Sequence, residues 1–164
     1  MKNRRGMLAL GVFGGLALAA SRSAVAADNC RNTEAAGAAV LDKYVAAMNA
    51  RDTSTFPEIF TESYIQHSGR SPSGLAAMIE LFKKVFAALP DRRLQVEDRI
   101  IAGDKVVARC TYTATHNQVF RGVPPTGKRF SYHTIDIWRV ENGKFAEHWD
   151  LTDTEEVLRT LRAS

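Results

Sequence analysis

The apolar pattern of this chain changes its period at Pro90, and this change constrains the fold more than any other feature. Before Pro90 the apolar residues recur every three or four positions, as in the segments 32–50 and 74–89, which is helical spacing. After Pro90 they alternate in runs separated by turn signals such as Asn142-Gly143. Helices followed by a strand meander predict an α+β fold, in which N-terminal helices pack on a curved antiparallel sheet and leave a conical cavity.

The first half of the chain is predicted to be helical, apart from the extended segment "SYIQHS". Thr33 and Ser73 are candidate N-caps of the helices over 32–50 and 74–89. A short helix is expected over 56–60. The second half is predicted to form strands over 92–102, 105–116, 129–140 and 144–153 and a final helix over 154–161.

Residues 1–26 have the composition of a secretory signal peptide. A basic start with Arg4-Arg5, an apolar stretch from Met7 to Ala20 and an A-x-A pattern of small residues follow one another. We expect cleavage after Ala26, which leaves one domain over 27–164 in the periplasm or outside the cell. The adjacent arginines also resemble a twin-arginine export signal. The alternative interpretation is an uncleaved membrane anchor or a buried helix.

The charge of the expected mature domain gives no reason to predict an anionic partner. Cleavage removes four basic residues and no acidic ones, so the remaining 18 basic residues balance 18 acidic ones. The basic character of the whole chain therefore comes from the signal segment. We expect no nucleic acid partner and, after cleavage, no membrane partner.

Two cysteines, Cys30 and Cys110, leave two alternatives open. They could form a disulfide bond in an oxidising compartment, or Cys110 could be a small buried apolar residue within a strand. The chain contains no C-x-x-C pair. His116 and His133 lack the spacing of a metal site with an acid, so we predict no metal.

Three ionisable residues, Asp136, His148 and Asp150, interrupt apolar runs in the last predicted hairpin. If Asn142-Gly143 forms a two-residue loop, Asp136 lies opposite Trp149, and Asp150 points to the other side of the sheet. If the loop contains three residues, Asp136 lies opposite His148.

We favour the three-residue loop because it gathers the polar side chains on one face. That face carries Asp136, Trp138, His148 and Asp150. The opposite face then carries an apolar set of Ile135, Ile137, Phe145 and Trp149. Of these, Ile135, Ile137 and Trp149 would suit the interface of a homodimer.

The segments "YIQH", "GVPPTGK" and "GKFAEHWD" resemble those of a known group of proteins. Together with "KYVAAMNARD" and "IDIWRV", they resemble the SnoaL-like polyketide cyclases and ester cyclases, within the nuclear transport factor 2-like superfamily. The resemblance covers about residues 33–162 and implies the cystatin-like α+β barrel of that superfamily. Ketosteroid isomerases are related members.

This resemblance implies roles for four residues. Tyr44 and Asp136 match the positions of the isomerase oxyanion hole, and His67 stands where the isomerase has its catalytic acid. Asp150 resembles the general acid/base of the cyclases, with Asp136 as the competing candidate. The implied chemistry is proton abstraction beside a carbonyl, followed by aldol cyclisation or isomerisation, and it demands no cofactor.

The expected ligand is a small hydrophobic carbonyl compound of the polyketide type. We expect His148, Trp138 and Phe130 to line the cavity and His116 to lie at its mouth. The Gly- and Pro-rich loop should shape the cavity rim. The second hypothesis is a binding module of the same fold, which holds an apolar ligand without turnover.

Overall fold

The computed structural model describes residues 16–69 and 71–163 of the chain. These residues contain nine helices and strands joined by loops. The helices are α1 (Leu16–Ala50), α2 (Phe56–Ile59), α3 (Leu75–Ala88) and α4 (Thr154–Arg162). The strands are β1 (Phe60–Gln66), β2 (Arg93–Ala102), β3 (Lys105–Thr115), β4 (Arg129–Glu141) and β5 (Lys144–Thr152). Strands follow Pro90 as the change of period predicts, and the α+β class is confirmed.

The strands form a curved, unclosed sheet in the order β1-β5-β4-β3-β2. Strands β2 to β5 form the predicted antiparallel meander, but β1 lies parallel to β5, so the sheet is mixed. Parallel strands need a long connection between them, and here the connection from β1 to β5 contains α3 and three strands. The "SYIQHS" segment thus becomes an edge strand.

Both predicted helix caps were wrong. Helix α1 begins at Leu16, so Thr33 lies inside it, and its hydroxyl donates to the Asn29 carbonyl oxygen at 2.9 Å. Gly74 is the residue before α3, with φ of 91°, a value that favours glycine. Ser73 Oγ instead accepts a hydrogen bond from the Gln66 N–H at 3.0 Å, which ties the start of α3 to the end of β1.

The predicted signal peptide lies mostly outside the described residues, which begin at Leu16. Among the helices described, none combines the length and the apolar character needed to cross a membrane. The cleavage site and the export route therefore stay predictions.

The main core lies between the helices and the concave face of the sheet. Its largest fully buried side chains are mostly aromatic, with Trp138, Tyr64, Phe56 and Phe60 foremost. Each such burial contributes about 1.5–3 kcal/mol to the free energy of unfolding. Helix α1 approaches the sheet closely at Gly37, where an added Cβ would lie 3.0 Å from Val106 Cγ2.

A second, smaller core lies beneath α4. Leu158 and Leu161 of that helix are buried in it with Leu89, Val123 and Phe130. This packing holds α4 against the sheet through Phe130 of β4.

The two cysteines are free in the structure. Cys30 is exposed on α1, whereas Cys110 on β3 is completely buried. The disulfide alternative is thus wrong for this structure, and the alternative of a small buried residue is confirmed for Cys110. Burial and the nearby Asp136 carboxylate raise the pKa of the Cys110 thiol to about 12, so the thiol remains protonated.

The turn between β4 and β5 is the two-residue type, so the favoured three-residue loop was wrong. Asn142 and Gly143 have φ values of 51° and 73°, and Glu141 pairs with Lys144. Two consecutive positive φ values suit an Asn-Gly turn.

A bulge nevertheless puts the polar residues on one face. The register shifts between Arg139 and Val140, since Ala146 is an extra residue in β5. Trp138 then lies opposite His148, and Asp136 lies opposite Asp150. The predicted grouping is confirmed, although the residue facing Asp136 is Asp150 instead of His148.

The bulge also changes the outer face of the sheet. Phe145, predicted to lie there, is fully buried in the core. Exposed apolar side chains on that face include Ile135, Ile137, Trp149 and Leu151. The homodimer stays a prediction.

Candidate active site

A cavity of about 370 Å³ lies between the concave face of the sheet and helices α1 and α3. Its volume falls in the range of small-molecule sites, about 300–1,000 Å³. Most of the wall is apolar or aromatic, with Phe60, Met78, Phe82 and Trp138 among the lining side chains. Polar groups therefore stand out on this wall, and they come mainly from β1, β4 and β5.

The central polar group is a buried pair formed by Asp136 and His148. His148 Nε2 lies 2.9 Å from Asp136 Oδ1, and the Thr134 hydroxyl donates to Asp136 Oδ2. The Asp136 residue is only 3% exposed. Both carboxylate oxygens thus carry a hydrogen bond, which satisfies a group that would be costly to bury alone.

Hydrogen bonds from residues at the end of β1 determine which nitrogen of the neutral His148 ring carries the proton. Gln66 Oε1 accepts from the Ser68 N–H at 3.2 Å, which orients the Gln66 amide. Gln66 Nε2 therefore donates to His148 Nδ1, 2.8 Å away. With Nδ1 as an acceptor, the proton of the neutral ring is on Nε2 and points to Asp136.

Aromatic packing holds the His148 ring in place. It stacks on Trp138, with ring centroids 4.8 Å apart and planes 6° apart. The cavity wall therefore includes the four side chains that were predicted to share one face of the sheet, namely Asp136, Trp138, His148 and Asp150.

Asp150 lines the same wall, directly opposite Asp136 across the β4–β5 ladder. The Thr152 hydroxyl donates to Asp150 Oδ2 at 3.2 Å. Asp150 is more exposed than Asp136, which places its carboxylate where a ligand in the cavity can reach it.

Phenol groups supply hydroxyl donors on the helix side and deep in the cavity. Tyr44 Oη lies 3.5 Å from Tyr112 Oη, and Tyr64 Oη is buried without a partner among the described residues. Burial raises the pKa of all three phenols, and the negative charge of Asp136 adds to the increase. The three side chains therefore stay protonated and can donate to a negatively charged oxygen.

One buried cation, Arg92, also lines the cavity. It lies just before β2 and is 6% exposed. Its Nε and Nη2 atoms donate to Tyr132 Oη at 3.0 Å and 2.9 Å, and its guanidinium carbon lies 4.1 Å from the centre of the Tyr112 ring.

The structure does not place His67 in the cavity. Its ring lies on the outer face of the sheet, stacked on Trp149 at 4.4 Å, and its Nε2 is 2.9 Å from Glu147 Oε2. Successive strand residues point to opposite faces, and β1 directs Tyr64 and Gln66 inward. The inner position expected for His67 is therefore occupied by Gln66.

Two predicted binding residues, His116 and Phe130, are not among the residues lining the cavity. His116 is completely buried, with Nδ1 3.0 Å from Thr126 Oγ1. Its carbonyl oxygen accepts from the N–H groups of Thr126 and Gly127. It thus anchors the Gly- and Pro-rich loop, while Phe130 packs in the smaller core.

Of the Gly- and Pro-rich loop 121–128, Arg121 lines the cavity, together with Val119 and Phe120, which precede the loop; the glycines and prolines predicted to shape the rim are not among the lining residues. His133 lies on the outer face as its position in the strand predicts, bonded to Asp153. The described residues contain no group of three His, Cys, Asp or Glu side chains placed to hold a metal ion.

Four polar residues of the cavity wall were not predicted from the sequence, namely Tyr64, Gln66, Arg92 and Tyr112. For Gln66 and Arg92, the alternation of side chains along a strand could have predicted an inward position. Gln66 is two residues from the apolar-facing Tyr64, and Arg92 is two residues from the buried Leu94. In a strand, that spacing puts both side chains on one face.

A curved sheet with helices on one side and acid, imidazole and phenol groups in the enclosed cavity defines a small-ligand domain of the nuclear transport factor 2-like type. Within that class, the chain belongs to the SnoaL-like polyketide cyclase family, which it matches over residues 38–161.

Individual relatives agree with this assignment. Nogalonic acid methyl ester cyclase of Streptomyces nogalater is 27% identical over an alignment of length 128 that covers 71% of this chain and 90% of the cyclase. TsrD of Streptomyces laurentii is 29% identical with a TM-score of 0.73, covering 79% of this chain and 97% of TsrD. AclR of Streptomyces galilaeus, a proposed hydroxylase, is 34% identical with a TM-score of 0.69, covering 77% and 85%.

Proposed function

We propose that the chain catalyses an acid/base reaction on a small apolar carbonyl compound, either an intramolecular aldol cyclisation or an isomerisation. The observation that carries this proposal is the convergence of Asp136, His148 and Asp150 on one wall of an otherwise apolar cavity. A binding module could hold its ligand with fewer polar groups. The reaction requires no cofactor, because proton transfer needs only side-chain acids and bases.

Asp150 is the proposed general base and acid. It removes the proton from the carbon next to a substrate carbonyl, and the electron pair of that C–H bond forms an enolate. In a cyclisation, the enolate carbon then attacks a second carbonyl of the same molecule. Asp150 returns the proton to the new alkoxide, so substrate and product have the same composition.

Asp136 is the weaker candidate for this role because it is only 3% exposed, whereas Asp150 is more exposed and lines the cavity. The charge of Asp136 instead fixes the His148 ring, and the Gln66 amide fixes the other side of that ring. We assign Asp136, His148 and Gln66 to positioning the polar wall next to Asp150.

The phenols of Tyr44 and Tyr64 are the proposed donors to the enolate oxygen. Tyr64 Oη has no partner among the described residues, so a ligand oxygen would satisfy it. A donor that strengthens its hydrogen bond as negative charge develops lowers the barrier of the step.

The family assignment supports a cyclase- or isomerase-type activity, and the named cyclase of S. nogalater supports a polyketide-like substrate. The direct test is turnover with a panel of linear and partly cyclised aromatic polyketide carbonyl compounds, followed by liquid chromatography coupled to mass spectrometry, which separates a product from a substrate of the same mass.

Retention time reveals a product, and its mass distinguishes cyclisation or isomerisation from hydroxylation. Cyclisation or isomerisation gives a product of unchanged mass, and loss of that product in Asp150→Asn is expected. A product heavier by one oxygen atom would instead indicate a hydroxylation. Tight binding with no conversion across the panel would support the binding-module hypothesis and contradict ours.

We also propose that the protein is exported, on the basis of the sequence pattern of residues 1–26. Expression in a bacterial host followed by N-terminal sequencing of the periplasmic fraction tests this. A mature terminus near Ala27 is expected. An intact N-terminus confined to the cytosol would contradict it.

A further inference from the structure

Arg92 is a buried cation that has no carboxylate partner within the described part of the chain. None of the ion pairs formed by residues 16–69 and 71–163 includes it. Among the described residues, its guanidinium donates hydrogen bonds only to the phenol oxygen of Tyr132. Arginine cannot shed its proton at any ordinary pH, so the charge stays inside the protein.

The geometry of the guanidinium leaves one edge free for a ligand. Nε and Nη2 form the side edge, and the single oxygen of Tyr132 engages both atoms. Nη1 is buried and has no partner among the described residues. The remaining edge, formed by Nη1 and the second N–H of Nη2, matches the two oxygens of a carboxylate.

The surroundings hold this edge in position. The guanidinium lies over the Tyr112 ring, and Tyr112 stacks on Tyr132 with ring centroids 4.9 Å apart. A buried charge with rigid support and no internal counter-ion is unfavourable for stability alone. Such an arrangement is expected where a ligand supplies the missing charge.

We propose that Arg92 binds an anionic oxygen group of the ligand, for which a carboxylate is the best match. The substrate class then narrows from carbonyl compounds in general to acidic ones. The inference deepens the proposed function and rests on it only in that the ligand occupies this cavity.

The fold also sets the distance between this anchor and the proposed base. Tyr132 and Asp136 lie four residues apart on one face of β4, so their Cα atoms are about 13 Å apart. Asp150 lies opposite Asp136. The ligand would therefore place its acidic group near Tyr132 and its reacting carbon near Asp150.

Two probes that differ only in charge test the proposal without knowledge of the natural substrate. Binding of anthraquinone-2-carboxylate and of the neutral anthraquinone-2-carboxamide is measured by titration calorimetry. The variants are Arg92→Met, which keeps the apolar stem, and Arg92→Lys, which keeps the charge without the fork. Arg93→Met is the matched control, because Arg93 is the next residue in the chain and is exposed.

The wild type is expected to prefer the carboxylate by about tenfold or more, the value of one well-placed charged hydrogen bond. Arg92→Met should lose this preference and bind the carboxamide as before. Arg92→Lys should keep part of the preference, and Arg93→Met all of it. The melting temperature of ligand-free Arg92→Met should be unchanged or higher.

The outcomes that overturn the proposal are equally specific. One is a wild type without preference for the carboxylate, whether both probes bind equally or neither binds. Another is a preference that survives in Arg92→Met, and a third is a melting temperature of Arg92→Met several degrees lower. Asp150→Asn separates the proposed catalytic function from the proposed carboxylate site. This variant should keep the preference for the carboxylate probe while turnover falls.

Discussion

Two histidine–carboxylate pairs lie on opposite faces of the same sheet, and they differ in almost nothing but burial. His148 and Asp136 are 2.9 Å apart on the cavity side, and His67 and Glu147 are 2.9 Å apart on the outer side. Each imidazole stacks on a tryptophan, with planes 6° and 1° apart. Local geometry alone therefore does not identify the functional pair.

Burial and the next layer of partners distinguish the two pairs. The side chains of His148 and Asp136 are 10% and 5% exposed, against 35% and 22% for His67 and Glu147. Asp136 receives its second hydrogen bond from Thr134 inside the cavity, whereas Glu147 is also bonded to Arg139 on the surface. Hydrogen bonds in a water-poor site are stronger, and leaving a partner unpaired there is more costly.

The largest expected effect concerns turnover on the inner face. Asp150→Asn should lower turnover by about 10²–10⁴-fold, because it removes a positioned proton-transfer group. The amide is nearly isosteric, so the melting temperature should change little. Steady-state kinetics and thermal denaturation on the same preparation give both quantities.

The matched control for this variant is Glu147→Gln on the outer face, which should leave turnover unchanged. A destabilised Asp150→Asn protein with undiminished turnover would show that Asp150 is structural. Equal losses in both variants would show that the two faces do not differ in function.

The second prediction compares the stability that each pair contributes. Asp136→Ala removes the acceptor for His148 and Thr134 and should lower the free energy of unfolding by about 2–5 kcal/mol. Glu147→Ala should lower it much less, because a solvent-screened surface pair contributes little. Urea denaturation at neutral pH measures both. Similar losses would mean that burial does not separate the pairs.

The third prediction concerns the protonated nitrogen of His148. Nitrogen NMR should show the proton of the neutral ring on Nε2, with Nδ1 as an acceptor from Gln66. Gln66→Leu should reduce this preference and lower stability by about 0.5–1.5 kcal/mol, the net value of one hydrogen bond. Glu147→Gln should change only the His67 signals. A proton on Nδ1 in the wild type would contradict the hydrogen-bond chain.

The sequence predicted which residues line the inner wall of the cavity but not the turn and bulge that bring them onto one face. Alternation within β4 and β5 shows which residues share a face of their own strand, as for Asp136 with Trp138 and His148 with Asp150. The relation between the strands depends on the turn and on the bulge at Ala146. A bulge next to a two-residue turn shifts the register by one position, and nothing in the local sequence marks it.

His67 shows how a family resemblance can overrule a stronger local argument. The word "YIQH" suggested a proton acceptor at the isomerase position, whereas alternation from the aromatic Tyr64 already pointed Gln66 inward and His67 outward. Arg92 was missed for the opposite reason. Its spacing from Leu94 favoured an inward side chain, but a charged residue before a strand is usually solvated, and the structure shows that this one is enclosed by Tyr112 and Tyr132.

The smallest expected effect is the pH dependence of the outer pair. The hydrogen bond from Arg139, followed by that from His67, lowers the pKa of Glu147 in the folded protein. A lowered folded-state pKa means that the unfolded chain binds the proton first as pH falls. The stabilising contribution of Glu147 is thus fully present above its unfolded pKa and is lost as pH falls through the folded one. Melting temperatures of the wild type and Glu147→Gln from neutral to acidic pH should show a small advantage of the wild type that disappears in acid. An advantage that persists or grows as Glu147 becomes protonated would show that its charge does not stabilise the outer face.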